Sequence, residues 1–154
     1  MLSEVAQLVV YNGETGEFFA RADGRKLSAK HVCGYVRVRI AGHDVLAHRL
    51  AIYMTTGEQP QHVDHINHDK ADNRACNLRG ATASENLCNR EGVQANNTSG
   101  HSGVAMDRHK RKWMAYIKKD GKRVHLGVFA KIEDAIAARR AAEPVYMGAF
   151  APMR

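Results

Sequence analysis

Val63-Asp64-His65-Ile66-Asn67-His68-Asp69-Lys70 sets a carboxylate next to an imidazole. Hydrolysing a phosphodiester requires a base for the attacking water, a cation to meet the developing charge and a scaffold that holds both. Strand alternation sends neighbouring side chains to opposite faces, so Asp64 and His65 can serve one site only at a strand end, with the phosphate between them. Downstream, Asn77-Leu78-Arg79 begins a second extended piece. Thr82-Ala83-Ser84-Glu85-Asn86-Leu87-Cys88-Asn89-Arg90 then reads as a helix, with Thr82 and Glu85 as a capping box. On that helix Asn86, Asn89 and Arg90 share one face. A hard cation such as Mg²⁺ accepts a carboxylate, an amide oxygen and waters without a dedicated all-protein cage. Asp64 plus an amide oxygen from the helix meets that need. Asn67, Asp72 and Asn73 read as turn and cap residues.

Working upstream, the chain reads as short strands. Leu8-Val9-Val10-Tyr11 runs into the turn Asn12-Gly13-Glu14-Thr15-Gly16 and returns as Glu17-Phe18-Phe19-Ala20. Gly34 to Ile40 alternates strictly, with Val36, Val38 and Ile40 on one face and Tyr35, Arg37 and Arg39 on the other. Asp44-Val45-Leu46-Ala47 is its partner across the Ala41-Gly42-His43 turn. A helix from His48 to Thr55, ended by Gly57 and Pro60, puts Leu50, Tyr53 and Met54 on one side.

Working downstream, the charge changes. The chain of 154 residues carries a formal net charge of +7. Residues 1–100 hold 11 Lys/Arg against 11 Asp/Glu, and residues 101–154 hold 12 against 5, so the whole excess lies in the last third. Such a concentration suits a polyanion, most often nucleic acid. Residues 91–102 are polar, small and aperiodic and read as a linker. Beyond them, Asp120-Gly121 is a two-residue hairpin turn. Folding about it pairs Ile117 with Val124, Ala115 with Leu126 and Trp113 with Val128 as one apolar face, and leaves Met114, Tyr116, Lys118, Arg123 and His125 on the other. A helix from Ile132 to Glu143, with Ile132, Ala135 and Ile136 at helical spacing, covers the apolar face.

Composition excludes other classes. A hydrophobic fraction of 44% and a charged fraction of 25% belong to a soluble globular protein. No run of apolar residues spans a bilayer. The opening Met1-Leu2-Ser3-Glu4 has an acid where a secretion signal places lysines, so a cytoplasmic, unsecreted protein is expected. Cys33, Cys76 and Cys88 form no Cys-x-x-Cys pair, so neither a structural zinc nor a disulfide framework is expected.

The string Ala47-His48-Arg49-Leu50, Gly57, Pro60, Val63-Asp64-His65-Ile66-Asn67, Asp72-Asn73-Arg74, Asn77-Leu78-Arg79 and Glu85-Asn86 resembles phage and intron HNH endonucleases of the homing type. The resemblance spans residues 47–90 and implies a ββα-metal core, two strands and a helix around one divalent ion. It implies His65 as general base, Asn77 as the residue that orients it, and Asp64 and Asn86 as ligands of Mg²⁺ or Mn²⁺. Many such enzymes carry a histidine where Asn86 stands, which leaves the choice between Asn86 and Asn89 open. Residues 98–150, through Ser102-Gly103-Val104, Lys112 to Ile117, Lys122 to Phe129 and Glu133-Asp134-Ala135, are similar to the plant ethylene-response-factor (APETALA-two) DNA-binding domain. That family lays a three-stranded sheet in the major groove, and its contacting positions fall on Tyr116, Lys118, Arg123 and His125. Ala105 replaces the arginine usual after its Gly-Val, which implies a different base preference.

The resulting expectation is an α+β chain. Small N-terminal antiparallel strands lead into a ββα-metal core, followed by a three-stranded antiparallel sheet packed on one helix. Residues 1–90 form the nuclease domain with its N-terminal β extension, 91–102 the linker and 103–154 the DNA-binding domain. The expected partner is double-stranded DNA, cut by a monomer and contacted by His48, Arg49, Arg79, Arg90, Arg108, Lys110, Lys112, Tyr116, Lys118, Arg123 and His125. The alternative is a non-catalytic, sequence-specific DNA-binding regulator with a degenerate nuclease core. An RNA-binding protein is disfavoured because RNA's major groove is deep and narrow.

Overall fold

The computed structural model describes residues 1–30, 33–88, 97–107, 109 and 111–151. Of the residues singled out above, Asn89, Arg90, Arg108 and Lys110 lie outside this set. The chain divides into two compact units, Met1–Ala83 and Ser84–Arg154. Both are mixed, with antiparallel strands and helices.

The first unit opens with α1 (Leu2–Leu8), which the strand reading of the N-terminus did not anticipate. It buries Leu2 and Val5, three residues apart, and has no side-chain cap to announce it. Three sheets follow. The first joins β1 (Val9–Asn12), β2 (Glu17–Ala20) and β3 (Lys26–Leu27). The second joins β4 (Ala29–Lys30), β5 (Val36–Ile40) and β6 (His43–Leu46). Val38 is fully buried, with Val36 and Ile40 packed at the core edge, while Arg37 and Arg39 on the other face bond Asp44. α2 (Ala47–Thr56) sinks Leu50, Ala51 and Ile52 into the same core and stops at Gly57. That glycine is left-handed (φ 76°) and returns its N–H to Tyr53. The third sheet is the pair β7 (His62–His65) and β8 (Leu78–Ala81).

The second unit starts within α3 (Ala83–Cys88). Its sheet has the order β11-β10-β9, from β9 (Val104–Asp107), β10 (Lys112–Lys119) and β11 (Lys122–Phe129), and α4 (Ile132–Met147) packs on it. The hairpin turns at Asp120-Gly121, both with positive φ, and Ile117 faces Val124 as the alternation predicts. Beyond His125 the register departs from that prediction. A β-bulge between the Tyr116↔His125 and Ala115↔Gly127 pairs makes Leu126 an extra residue, so Met114 faces Val128 and Trp113 faces Phe129. Leu126 and Phe129 therefore join Trp113 and Ala115 under α4, and Val128 turns to solvent, 38% exposed. α4 also runs past Glu143, through Pro144, to Met147. Beneath the sheet lies a buried ion pair, Arg139 Nη1 to Glu143 Oε1 at 3.0 Å, each side chain 7% exposed.

Candidate active site

β7 ends at His65, the condition under which neighbouring Asp64 and His65 can address one site. The β7–β8 register sets Asp64 opposite Arg79, and the guanidinium bonds the carboxylate through Nε (2.8 Å) and Nη2 (2.7 Å), both to Oδ2. Asp64, His65, Asn73 and Asn77 are all buried, at 7%, 6%, 2% and 6% exposure. Buried polar groups at such density require partners, and the loop between the two strands supplies them.

Asn77 is the organiser of that loop. Its Oδ1 accepts the Asn67 N–H (3.0 Å), and its Nδ2 donates to Asn67 Oδ1 and to the Asp72 carbonyl (both 2.9 Å). Its carbonyl accepts the Ile66 N–H, so the chain leaving His65 is tied down one residue later. The amide found beside the His65 ring is that of Asn73, whose Oδ1 stands 3.5 Å from Nε2. Asn73 Nδ2 donates to the Ala71 carbonyl (3.0 Å), which fixes the amide with its oxygen toward the imidazole.

The N-terminal sheet holds Asn73 from behind. The Tyr11 hydroxyl donates to the Asn73 carbonyl (2.7 Å), and the Ala75 N–H donates to the Gly13 carbonyl (2.8 Å). Gly16, left-handed at φ 74°, lies so close that an added Cβ would sit 2.6 Å from both Asn73 C and Arg74 N. Burial, reinforced by the charges of Cys76 and Asp72, pushes the Tyr11 hydroxyl up to about 12, so it stays a donor. Asp72 is held at about 2, first by its hydrogen bonds from the Arg74 side chain. By sequence alone Asn73 reads as a turn residue. Its only signal was membership of the Asp72-Asn73-Arg74 string, because an asparagine in such a loop reads equally well as a cap.

The rings around His65 are apolar in effect. His48 meets it edge-on with centroids 5.3 Å apart, and Tyr35 lies 6.0 Å away, with Lys70 Nζ over the tyrosine ring. Burial lowers the His65 pKa below its ordinary value, opposed by Asn73 and by Asp64, Asp69 and Asp72. Burial also lowers His48 to about 4, helped by the charges of His65 and Arg49. Both shifts favour the uncharged imidazole.

The remaining singled-out residues divide. His48 is buried, and its Nδ1 has no hydrogen-bond partner among the described residues. Arg49 holds the carbonyls of Pro60 and Gln61 just ahead of β7. Asn86 lies on α3, in the second unit, half-buried. Lys112, Tyr116, Lys118, Arg123 and His125 share the sheet face turned away from α4, with Tyr116 opposite His125 and Lys118 opposite Arg123. The Arg123 guanidinium lies 4.0 Å over the Tyr116 ring.

Residues 45–88 match the model of the HNH endonuclease family. The match supports a nuclease. It covers α2, β7, β8, α3 and the loop between β7 and β8, and so includes His48, Asp64, His65, Asn73, Asn77 and Asn86, while Tyr11, Gly16 and Tyr35 lie outside it. A solved structure of the HNH homing endonuclease I-HmuI, described as DNA binding and cleavage by that enzyme, is 27% identical with a TM-score of 0.45, over 51% of this chain and 49% of that one. The chain thus spans about half the length of that enzyme. No curated protein matches the chain. Among the described residues no helix is long and apolar enough to cross a membrane.

The donor chemistry suits a hard divalent ion. Among the described residues no cluster of three or more His, Cys, Asp or Glu side chains gathers. What the first unit offers is one carboxylate, Asp64, beside the imidazole of His65 at the end of β7. Oxygen donors supplemented by water and phosphate are what Mg²⁺ and Mn²⁺ accept.

Proposed function

We propose that the chain is a divalent-metal-dependent DNA endonuclease whose residues 1–90 hydrolyse a phosphodiester bond and whose residues 103–154 grip the duplex. His65 is the general base. With Asn73 Oδ1 accepting from Nε2–H, the imidazole keeps its proton on Nε2 and presents the Nδ1 lone pair to the attacking water. Its lowered pKa keeps that lone pair available at neutral pH. Asp64 and Asn86 would hold the metal, with Asn89 the other candidate on the helix. When bound, the ion supplies positive charge to the developing phosphorane and its leaving oxygen. Arg79 anchors Asp64 through Oδ2 and so fixes how the carboxylate is presented. Asn77 shapes the loop that orients His65. The second unit resembles the ethylene-response-factor domain and places Lys112, Tyr116, Lys118, Arg123 and His125 against the DNA. Residues 1–90 act as the nuclease domain, 91–102 as the linker and 103–154 as the DNA-binding domain, and a monomer of homing type is the working species.

The observation that carries this reading is the placing of a buried His65 beside Asp64 at the end of one strand, inside the segment that matches the family. The Arg79–Asp64 ion pair favours a second reading, a non-catalytic DNA-binding regulator, because it engages one carboxylate oxygen. A metal titration of cleavage separates the two. Asp64→Ala should raise the Mg²⁺ concentration needed for activity more than Asn86→Ala, since it removes the charged ligand. A larger effect from Asn89→Ala would move the ligand one turn along the helix. Binding without cleavage at every Mg²⁺ and Mn²⁺ concentration would favour the regulator.

A further inference from the structure

The outward face of the second unit's sheet is organised in rows across its strands. One row pairs Asp107 with Lys112. The next joins Ala105, Met114 and Val128, one residue from each strand. Then come Tyr116 with His125, and Lys118 with Arg123. An apolar row thus crosses the whole sheet, with Lys112 in the row before it and Lys118 and Arg123 two rows beyond it. Val128 belongs to it only because of the bulge at Leu126, which turns Val128 away from the helix-covered side and leaves it 38% exposed. Bulges commonly re-aim a side chain in this way. Ala105 and Met114, in register beside it, are half-buried.

A face meant only for phosphate would gain nothing from such a row. In the major groove of DNA the one apolar group on a base edge is the 5-methyl of thymine, and small or flexible apolar side chains are what meet it. Neighbouring strands lie about 4.8 Å apart, so the row is about 10 Å long. Laid along the groove, that is the length of about three stacked base pairs at 3.4 Å each. Lys112 on one side, and Lys118 and Arg123 on the other, are placed to take the flanking phosphates, which fix position without reading sequence. We propose that the Ala105–Met114–Val128 row reads thymine methyl groups in the major groove, and so sets the base preference of this chain within a window of about three base pairs. The inference rests on the reading of this face as the DNA-binding surface.

The test uses the full chain without divalent metal, so that DNA is bound but not cut. Duplexes are selected from a random pool, and each thymine of the selected site is replaced in turn by uracil, which removes only the methyl. The selected sites should share thymines clustered within about three adjacent base pairs. Each replacement there should weaken binding about fourfold, the worth of one buried methyl-sized group. Val128→Ser removes both methyl groups and places a hydroxyl in the row. It should erase the thymine-over-uracil difference at one position, and leave binding to unselected DNA and its salt dependence unchanged. Selected sites without thymine, or equal affinity for thymine and uracil duplexes, would overturn the inference while leaving the DNA-binding reading intact. Failure to bind any duplex, or preferential binding to RNA or to a protein, would overturn that reading and the inference together.

Discussion

In the first unit the polar side chains that matter are hidden, and in the second they are displayed. Asp64, His65, Asn73 and Asn77 are each less than a tenth exposed, whereas Lys112, Lys118, Arg123 and His125 lie open on a sheet face. The first hundred residues are electrically balanced, and the last third carries the entire excess of +7. The contrast follows from two different physical demands. A general base must be neutral, oriented and partly desolvated, which takes burial and directed hydrogen bonds. Attraction to phosphate acts over the Debye length and takes charge left in water. Where the second unit does bury charge, in Arg139 and Glu143, the two pair one turn apart along α4.

The largest effect that would break this division of labour is on the hidden side. His65→Ala should lower the cleavage rate by about 10²–10⁴ and leave DNA affinity nearly unchanged. Single-turnover kinetics alongside a binding isotherm decides it. Comparable cleavage by the variant would remove His65 from the mechanism.

Next comes the ion pair beneath the displayed face. Glu143→Ala takes the carboxylate away from the buried Arg139 guanidinium and should destabilise the second unit by about 3–5 kcal/mol. Thermal unfolding should then show the second unit melting first, with DNA affinity falling as it does. Gly103 is a companion site, because an added Cβ would lie 2.4 Å from Arg139 Nε and 2.3 Å from the Tyr116 carbonyl. An unshifted melting profile for Glu143→Ala would show that the pair is dispensable.

A pH titration sharpens the comparison further. His48 has a folded pKa of about 4 against 6.5 when exposed. Above 6.5 both states leave it neutral and it contributes no pH dependence. As pH falls from 6.5 toward 4, the unfolded chain takes up the proton more readily, and the first unit loses stability on the order of 3 kcal/mol. His65 acts in the same direction. His48→Phe should flatten much of that slope in denaturant melts, and an unchanged slope would show that burial of His48 is not its source.

The smallest expected effect lies at the support behind the site. Tyr11→Phe removes the hydroxyl that holds the Asn73 carbonyl, one hydrogen bond worth about 1 kcal/mol. If Asn73 positions His65, the single-turnover rate should fall about fivefold with substrate affinity unchanged. A loss of affinity with an unchanged rate would assign Tyr11 to DNA instead.

These outcomes also bear on what a sequence discloses. The displayed face was legible because exposure follows simple periodicities: Asp120-Gly121 fixed the hairpin, and alternation put Tyr116, Lys118, Arg123 and His125 together. That rule failed at Leu126, where one extra residue inverts everything after it, and nothing local marks the bulge except Gly127. α1 escaped because seven residues without a capping side chain run straight into the β-rich Val9-Val10-Tyr11. Motif spacing singled out Asp64, His65 and Asn77, and the structure buries all three at the end of β7 and at the start of β8. Asn73 was not singled out, since its residue type serves turns and sites alike, and neither was Tyr11, which reaches it across 62 residues. The pairing of Asp64 with Arg79 depends on the β7–β8 register, which two short strands joined by a long loop do not announce.

The central claim, that this chain cuts DNA with a divalent ion, is tested most directly with supercoiled plasmid and purified full-length protein. With Mg²⁺ or Mn²⁺ the supercoiled form should convert to nicked or linear DNA, and with a chelator in place of metal it should persist. Equal conversion in chelator, or none at any concentration of either metal while the plasmid is bound, would contradict it.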